Sequence, residues 1–361
     1  VSFSGGDDYS TVNIRSLTKN LDATVAIAAE KLFQPNFNAE DFGRLKAQTI
    51  EGIKQSKKEP TNLAWAIFNR LVYGDNNPIA WSGSGTLATV ENTALTDYKT
   101  FYNAHYSPKV ANIVAVSDLS EGKLSAALAP FAAWDGADVP SVSDKPYPEL
   151  KGGTLYFINK DGAAQSEIRI GKRALPYDSD GEFYRAGLTN YAIGGAFNSR
   201  INLNLREDKG YTYGARAFFD GEETRGAFIA YSGVKKDKTA ESIVEFINEM
   251  KAYHESGITD EELAFTKAAI GQSDARKYET PRQKLGFLSR MATYNLDKNF
   301  VDTQADILAN MTKAEIDALA AKHYNVDDMI IVVVGDKANI FDDVKALGYN
   351  VVELDADGKV L

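Results

Sequence analysis

Arg206 and Tyr213 are the side chains whose types and spacing most suggest chemistry in this sequence. They lie seven residues apart in YAIGGAFNSRINLNLREDKGYTYGARA, from Tyr191 to Ala217. Arg206 falls at the end of a helical pattern, Gly210 permits a tight reversal, and Tyr213 opens a strand pattern. A fixed guanidinium and a phenol hydroxyl together suit a carbonyl oxygen that gains negative charge, as acyl transfer requires. A plainer arrangement fits the same residues: an arginine capping a helix C-terminus and a half-buried strand tyrosine. Gly194 and Gly195, just upstream, interrupt the helical pattern and mark a place where the chain positions something.

Other chemistries find less support. The three histidines, His105, His254 and His323, lack the i, i+4 partner of an H-E-x-x-H or H-x-x-E-H zinc helix, and each reads as packing or polar helix-end chemistry. No cysteine is present, which removes disulfides, thiolate metal sites and a cysteine nucleophile. No phosphate-binding loop of the G-x-x-x-x-G-K-[ST] type occurs. Forty Lys and Arg face 50 Asp and Glu, a net charge of -10, the wrong sign for tracking nucleic acid. The longest apolar run, Met329 to Gly335, is far short of the roughly 18 residues that span a bilayer. The acidic stretches DGEET and ELDADG read as solvated surface, and most of the aromatics sit at core spacing.

The elements around the Arg/Tyr pair come in two related sets. NAEDFGRLKAQTI from Asn38 aligns with TDEELAFTKAAI from Thr259, pairing Lys46 with Lys267 and Pro60 with Pro281. HYSPKVANIVAVSD from His105 aligns with HYNVDDMIIVVVGD from His323. The offsets, 221 and 218, are nearly equal and the blocks keep their order, as a duplicated domain requires. In the first copy, LDATVAIAAEKLF, NAEDFGRLKAQTIEGIKQS and TNLAWAIFNRLVYG carry apolar residues at three-and-four spacing and predict amphipathic helices. VANIVAVSD predicts a short buried strand, and Ser120 an N-cap for the helix that follows. In the second copy, TLYFINKD, SEIRIGKRAL, TYGARAFFD, GAFIAYSGV and MIIVVVGD predict strands. EFYRAGLTNYAIGG, FNSRINLNLRED, TAESIVEFINEMKAYHES, TDEELAFTKAAIGQSDARKY and TPRQKLGFLSRMATYNL predict helices.

Carried back at an offset of about 216, Val1 matches Ala217, so about 65 residues of the second copy have no counterpart in the first, which predicts a further segment upstream. Residues 1–135 are thus expected to form a first domain truncated at its start. Residues 136–152, rich in Pro, Gly, Ser and charge, form a linker, and residues 153–361 a second domain that carries the Arg/Tyr motif.

The segment G-G-x-x-x-S-R followed by L-R-E-x-x-G-x-x-Y, here Gly194, Gly195, Ser199, Arg200, Leu205, Arg206, Glu207, Gly210 and Tyr213, resembles the non-catalytic half of the pitrilysin/insulinase family of zinc metallopeptidases. QPNFNAEDFGRLKAQ, the Pro60 region, LVYGDNNP and FYNAHYSP extend the likeness over nearly the whole chain. The resemblance implies an α+β fold, two homologous domains of mixed or antiparallel sheet packed against helices, forming half of a clamshell peptidase. It implies that Tyr213 donates a hydrogen bond to the scissile carbonyl and that Arg206 holds a neighbouring backbone carbonyl. IGGAFNSR resembles the family's glycine-rich substrate loop, which makes Gly194, Gly195, Phe197, Asn198 and Ser199 candidates for peptide contact. The chain departs from the catalytic pattern. The two family glutamates fall at Leu45 and Gly52, and Glu51 lies about 100° away on a helix.

The expectation is therefore a substrate-binding half with no metal of its own, inactive alone. Its zinc-bearing partner would lie upstream in the same polypeptide or in a separate subunit, and its substrates would be short or unfolded peptides. The rival expectation is a structural core subunit that has lost catalysis. The resemblance favours a bacterial periplasmic or extracellular location.

Overall fold

The computed structural model describes residues 1–141, 145–274 and 277–361. Three residues of the expected linker, 142–144, and the end of the helix expected through Tyr278, residues 275–276, lie outside the described residues.

In chain order the first elements are β1 (Ser2–Gly5), β2 (Ser10–Asn13), α1 (Leu21–Phe33), α2 (Ala39–Ser56), α3 (Pro60–Tyr73), α4 (Leu87–Asn92), α5 (Leu95–His105) and α6 (Glu121–Leu128). Next come β3 (Thr154–Asn159), β4 (Gln165–Arg173), α7 (Glu182–Asn190), α8 (Arg200–Asn202), β5 (Thr212–Gly221) and β6 (Gly226–Lys235). The last are α9 (Thr239–Ser256), α10 (Asp260–Asp274), α11 (Pro281–Tyr294), α12 (Phe300–Asn310), α13 (Lys313–His323), β7 (Ile330–Gly335), α14 (Lys337–Ala346) and β8 (Asn350–Leu354). Two π-helical turns, Tyr191–Gly195 and Leu203–Asp208, follow α7 and α8.

The chain forms two compact units, neither contiguous in sequence. One comprises residues 1–55, 81–145 and 277–295, and the other residues 56–80, 146–276 and 296–361. Thus α3, encoded among the helices of the first unit, belongs to the second, and α11, encoded among those of the second, belongs to the first.

The second unit is built on a six-stranded sheet of order β5-β6-β4-β7-β3-β8. β5, β6, β4 and β7 pair antiparallel in succession, while β7–β3 and β3–β8 are parallel, which makes the sheet mixed. Every residue of central β7, IIVVVG, is buried, as expected for a strand covered on both faces. Ile168, Ile170, Phe228, Ile331 and Val333 join the core with Phe246, Met250 and Tyr253 of α9 and Ile316 and Ala320 of α13. On the opposite side α3 packs against β4 and β7, with Phe68 fully buried. There the Arg169 guanidinium is buried 4.6 Å from the Trp65 ring and 5.3 Å from the Tyr231 ring. Arg169 also donates to Glu167 at 2.9 Å, and Glu167 accepts a further bond from the Thr61 hydroxyl of α3 at 2.9 Å. A polar cluster therefore fixes where this helix sits on an otherwise apolar face.

The first unit contains the β1–β2 hairpin and a set of helices. Its hairpin pairs Ser2 through Gly5 with Asn13 back to Ser10, and β5–β6 makes the same pairing 216 residues on, Phe218 through Gly221 with Ile229 back to Gly226. The Lys46–Lys267 correspondence is equally literal. Lys46 Nζ donates to the Glu91 and Thr93 carbonyls at the end of α4, and Lys267 Nζ to the Ala309 carbonyl at the end of α12.

One expectation is corrected here. The segment VANIVAVSD is not a strand: residues 111–117 pair with no strand among the described residues, and Ile113 is exposed. Its counterpart β7 lies between β4 and β3, whereas in the first unit no described strand stands on either side, and an apolar run cannot make a ladder alone. Ser120 does occupy the N-cap position of α6, but its side chain makes no capping hydrogen bond. No described helix is long and apolar enough to cross a membrane.

Candidate functional site

The candidate residues lie in the second unit, on and beside the edge strand β5. Across from β6, Thr212 pairs with Val234 but Ala215 pairs with Ser232, so β5 carries one extra residue. The resulting bulge contains Tyr213 and Gly214. Its polar groups are tied down from beneath. The Thr212 hydroxyl lies 2.7 Å from the Gly233 carbonyl and accepts from the Gly214 N–H at 3.1 Å, and the Ser232 hydroxyl lies 2.8 Å from it. A bulge pinned in this way turns the Tyr213 side chain outward. It is 92% exposed, with no side-chain hydrogen bond or ring contact among the described residues. The half-buried strand tyrosine of the plainer reading is thereby replaced by a phenol standing in solvent on an immobilised turn.

The run from α8 into β5 is shaped by the π turn over Leu203–Asp208. The Lys209 N–H reaches back to Asn204 O at 3.0 Å and the Tyr211 N–H to Leu205 O at 2.8 Å. Gly210, at φ +63°, makes the reversal between them. This turn sets the Arg206 guanidinium carbon 4.5 Å from the centroid of the Phe197 ring. Arg206 Nη1 lies 3.1 Å from Glu207 Oε1, close enough for an ion pair, yet it is not aligned for a hydrogen bond to any acceptor. Arg216 approaches the same ring at 6.0 Å and donates to the Gly195 carbonyl at 3.2 Å. The structure thus gathers Arg206, Phe197 and Arg216 around one aromatic ring, while Tyr213 projects separately from the bulge.

The five loop candidates divide. Gly195, Phe197 and Asn198 are exposed, whereas Gly194 and Ser199 are buried and offer no surface to a peptide. Gly194 is buried because the first π turn lies directly on β5: a Cβ there would sit 2.7 Å from the Ala217 backbone nitrogen. Ser199 precedes α8 as its N-cap, with its hydroxyl enclosed and unpaired. Arg200, the last residue of the G-G-x-x-x-S-R signature, is also committed internally. It makes two bonds to Glu262, at 2.5 and 2.6 Å, donates to the Gly257 carbonyl at 3.0 Å and stacks over Tyr253 at 4.9 Å. The Glu262 hydrogen bond raises the arginine's pKa further.

Two asparagines outside the sequence-derived candidates hold the arrangement together. Asn202, almost fully buried, donates to the Phe197 carbonyl at 2.7 Å and accepts the Ala215 N–H at 3.0 Å, joining the loop to the end of the bulge. Asn190 donates to the Ala217 carbonyl at 2.7 Å and accepts from the buried Tyr324 hydroxyl at 3.0 Å. These amides occupy outward-facing backbone groups of an edge strand that would otherwise offer them to another strand. The only sequence signal for Asn202 is an amide set among the apolar residues of RINLNL.

Among the described residues, the histidines and the positions of the family glutamates supply no zinc-ligand set. His323 ends α13 with Nε2 2.8 Å from Glu182 Oε1, and His105 ends α5 stacked on Phe101 at 4.5 Å. Leu45 and Gly52, at the positions of the family glutamates, lie on α2 and carry no ligand atom. Among the described residues no group of three His, Cys, Asp or Glu side chains converges.

Residues 94–270 match the family described as the Peptidase M16 inactive domain. An uncharacterized zinc protease of Streptomyces coelicolor is 21% identical, over 87% of this chain and 69% of its own length. A probable inactive metalloprotease of Bacillus subtilis is 21% identical over 84% of this chain and 71% of its own. The chain spans about two thirds of the length of such relatives. The peptidase M16 inactive domain from Pseudomonas fluorescens superposes with a TM-score of 0.81 at 24% identity, over 88% of this chain and 76% of that one. A protease from Helicobacter pylori gives 0.79 at 18%, over 88% and 78%. In its matched segment, its relatives and its fold, the chain is similar to the zinc proteases of the M16 family, on the side of their inactive domain.

Proposed function

We propose that this chain is the substrate-handling half of a zinc metalloendopeptidase that cuts short or unfolded peptides, and that it supplies Arg206 and Tyr213 to the active site of a catalytic half. Tyr213 carries the reading. A tyrosine that is 92% exposed contributes little to folding, yet the bulge beneath it is pinned by the Thr212 and Ser232 hydroxyls. Held so, its hydroxyl donates to the scissile carbonyl oxygen as that oxygen becomes negative, and it loses no freedom when the reaction begins. Arg206, braced on Phe197, holds a neighbouring carbonyl of the bound peptide. Zinc belongs to the catalytic half, where it supplies a metal-activated water. The repeated hairpin register and the matched Lys46 and Lys267 contacts support descent of the two units from one duplicated domain.

The test is Tyr213→Phe in the assembled enzyme. Loss of one oxyanion donor lowers kcat by about a hundredfold or more with little change in KM. Unchanged turnover would remove the oxyanion role.

A second reading, a structural subunit without catalysis, draws on two observations. One relative is named a probable inactive metalloprotease. A chain of Complex III2 from Candida albicans shares the fold at a TM-score of 0.69 and 13% identity. On that reading Tyr213→Phe leaves turnover untouched while assembly still requires the chain.

A further inference from the structure

We infer that Arg206, Phe197 and Arg216 form a subsite for a carboxylate of the bound peptide, so that the substrates of this half carry an acidic side chain or a free C-terminus near the cleaved bond. The inference rests on the substrate-handling reading and names the chemistry it selects.

The argument is one of unequal neutralisation. Each of the other nearby cations has a carboxylate of its own. Arg200 is held by Glu262 through two bonds, and Lys209 lies 3.2 Å from Glu245. Arg216 has none. Its contacts are the Gly195 carbonyl and the Phe197 ring, and it forms no ion pair among the described residues. Arg206 is partly served: its enclosed Nη1 lies 3.1 Å from Glu207, and about a third of the side chain remains exposed beside Phe197. Between them Phe197 is 54% exposed, an apolar shelf with guanidinium groups approaching the same ring.

A guanidinium is a planar fork that receives a carboxylate through paired bonds, and Arg216 spends one arm of its fork on the Gly195 carbonyl with no carboxylate on the rest. Asn202 holds the Phe197 backbone and Gly195 O holds Arg216, so the shelf is formed before a ligand arrives. The chain as a whole is acidic, at -10, and this patch attracts an anion against that general field.

The experiment measures binding of fluorescein-labelled decapeptides to the full chain by anisotropy at about 0.05 M salt, where exposed charges are weakly screened. Three peptides share one sequence: a C-terminal amide with an internal Asp, the same amide with Asn in its place, and the Asn peptide with a free C-terminal carboxylate. The Asp peptide binds about fivefold to tenfold more tightly than its Asn partner, and the preference shrinks as salt rises. The third peptide decides whether a terminal carboxylate is accepted as well. Arg216→Gln abolishes the preference and Arg216→Lys retains part of it, with circular dichroism confirming that both variants fold. Equal binding of the Asp and Asn peptides, or a preference that survives Arg216→Gln, overturns the carboxylate subsite and leaves the substrate-handling reading standing. Failure of all three peptides to bind overturns both.

Discussion

Asn202→Ala separates positioning from packing at this site. The Asn202 side chain is almost fully buried and satisfies two backbone groups, the Phe197 carbonyl and the Ala215 N–H. Truncation leaves both without a partner in an enclosed place, and each orphaned group costs about 1–3 kcal/mol. Some relief through water places the expected loss at about 2–4 kcal/mol. Because Ala215 closes the bulge that presents Tyr213, the opening is local before it is global. Amide hydrogen exchange read at Ala215 should therefore lose protection by about two orders of magnitude, whereas amides in β7 change much less. Asn202→Asp is the matched control: the carboxylate still accepts the Ala215 N–H but can no longer donate to Phe197 O, so protection at Ala215 is largely kept while the loop is released. If Ala215 exchanges at the same rate in wild type and Asn202→Ala, the bridge does not position the bulge and the reasoning fails.

Gly194→Ala brings a methyl onto the Ala217 backbone and should cost about 1–3 kcal/mol in urea unfolding, with the π turn displaced from β5. Glu167→Ala strips buried Arg169 of its carboxylate partner and should destabilise the second unit by about 3–5 kcal/mol, against a smaller loss for Glu167→Gln. Denaturation of the two variants side by side checks the ranking. His323 carries a pH dependence. Its burial, reinforced by Lys322 and Lys172 and opposed by the hydrogen bond to Glu182, holds its pKa below the ordinary 6.5. Between that lowered value and 6.5 the unfolded chain binds the extra proton, so this contribution is complete above pH 6.5 and is lost as the pH falls below it. His323→Gln should flatten the slope of stability against pH just below 6.5; an unaltered slope would assign it to other groups.

Most helices were readable from spacing alone because a helix closes its hydrogen bonds within itself and needs only an apolar stripe for docking. The patterns at Leu21–Phe33, Ala39–Ser56, Thr239–Ser256 and Pro281–Tyr294 emerged as helices close to their expected bounds. The interrupted helical pattern around Gly194 and Gly195 emerged as a π turn. The motif also brought Arg206 and Tyr213 forward. It did not distinguish the exposed members of the loop from buried Gly194 and Ser199, since burial depends on what lies opposite, here β5.

The amino-acid sequence by itself determined most of the helices, the strands β3 to β7 of the second unit, the matching segments and the identity of the Arg/Tyr motif, all carried by local periodicity and residue type. Tertiary structure alone decided which unit receives α3, whether VANIVAVSD becomes a strand, how a one-residue bulge turns Tyr213 outward, and that Asn190 and Asn202 occupy the edge of β5. Each of these turns on a backbone group or an apolar face finding a partner far away in the chain. A strand exists only beside another strand, and a buried amide has a role only where two orphaned backbone groups meet it.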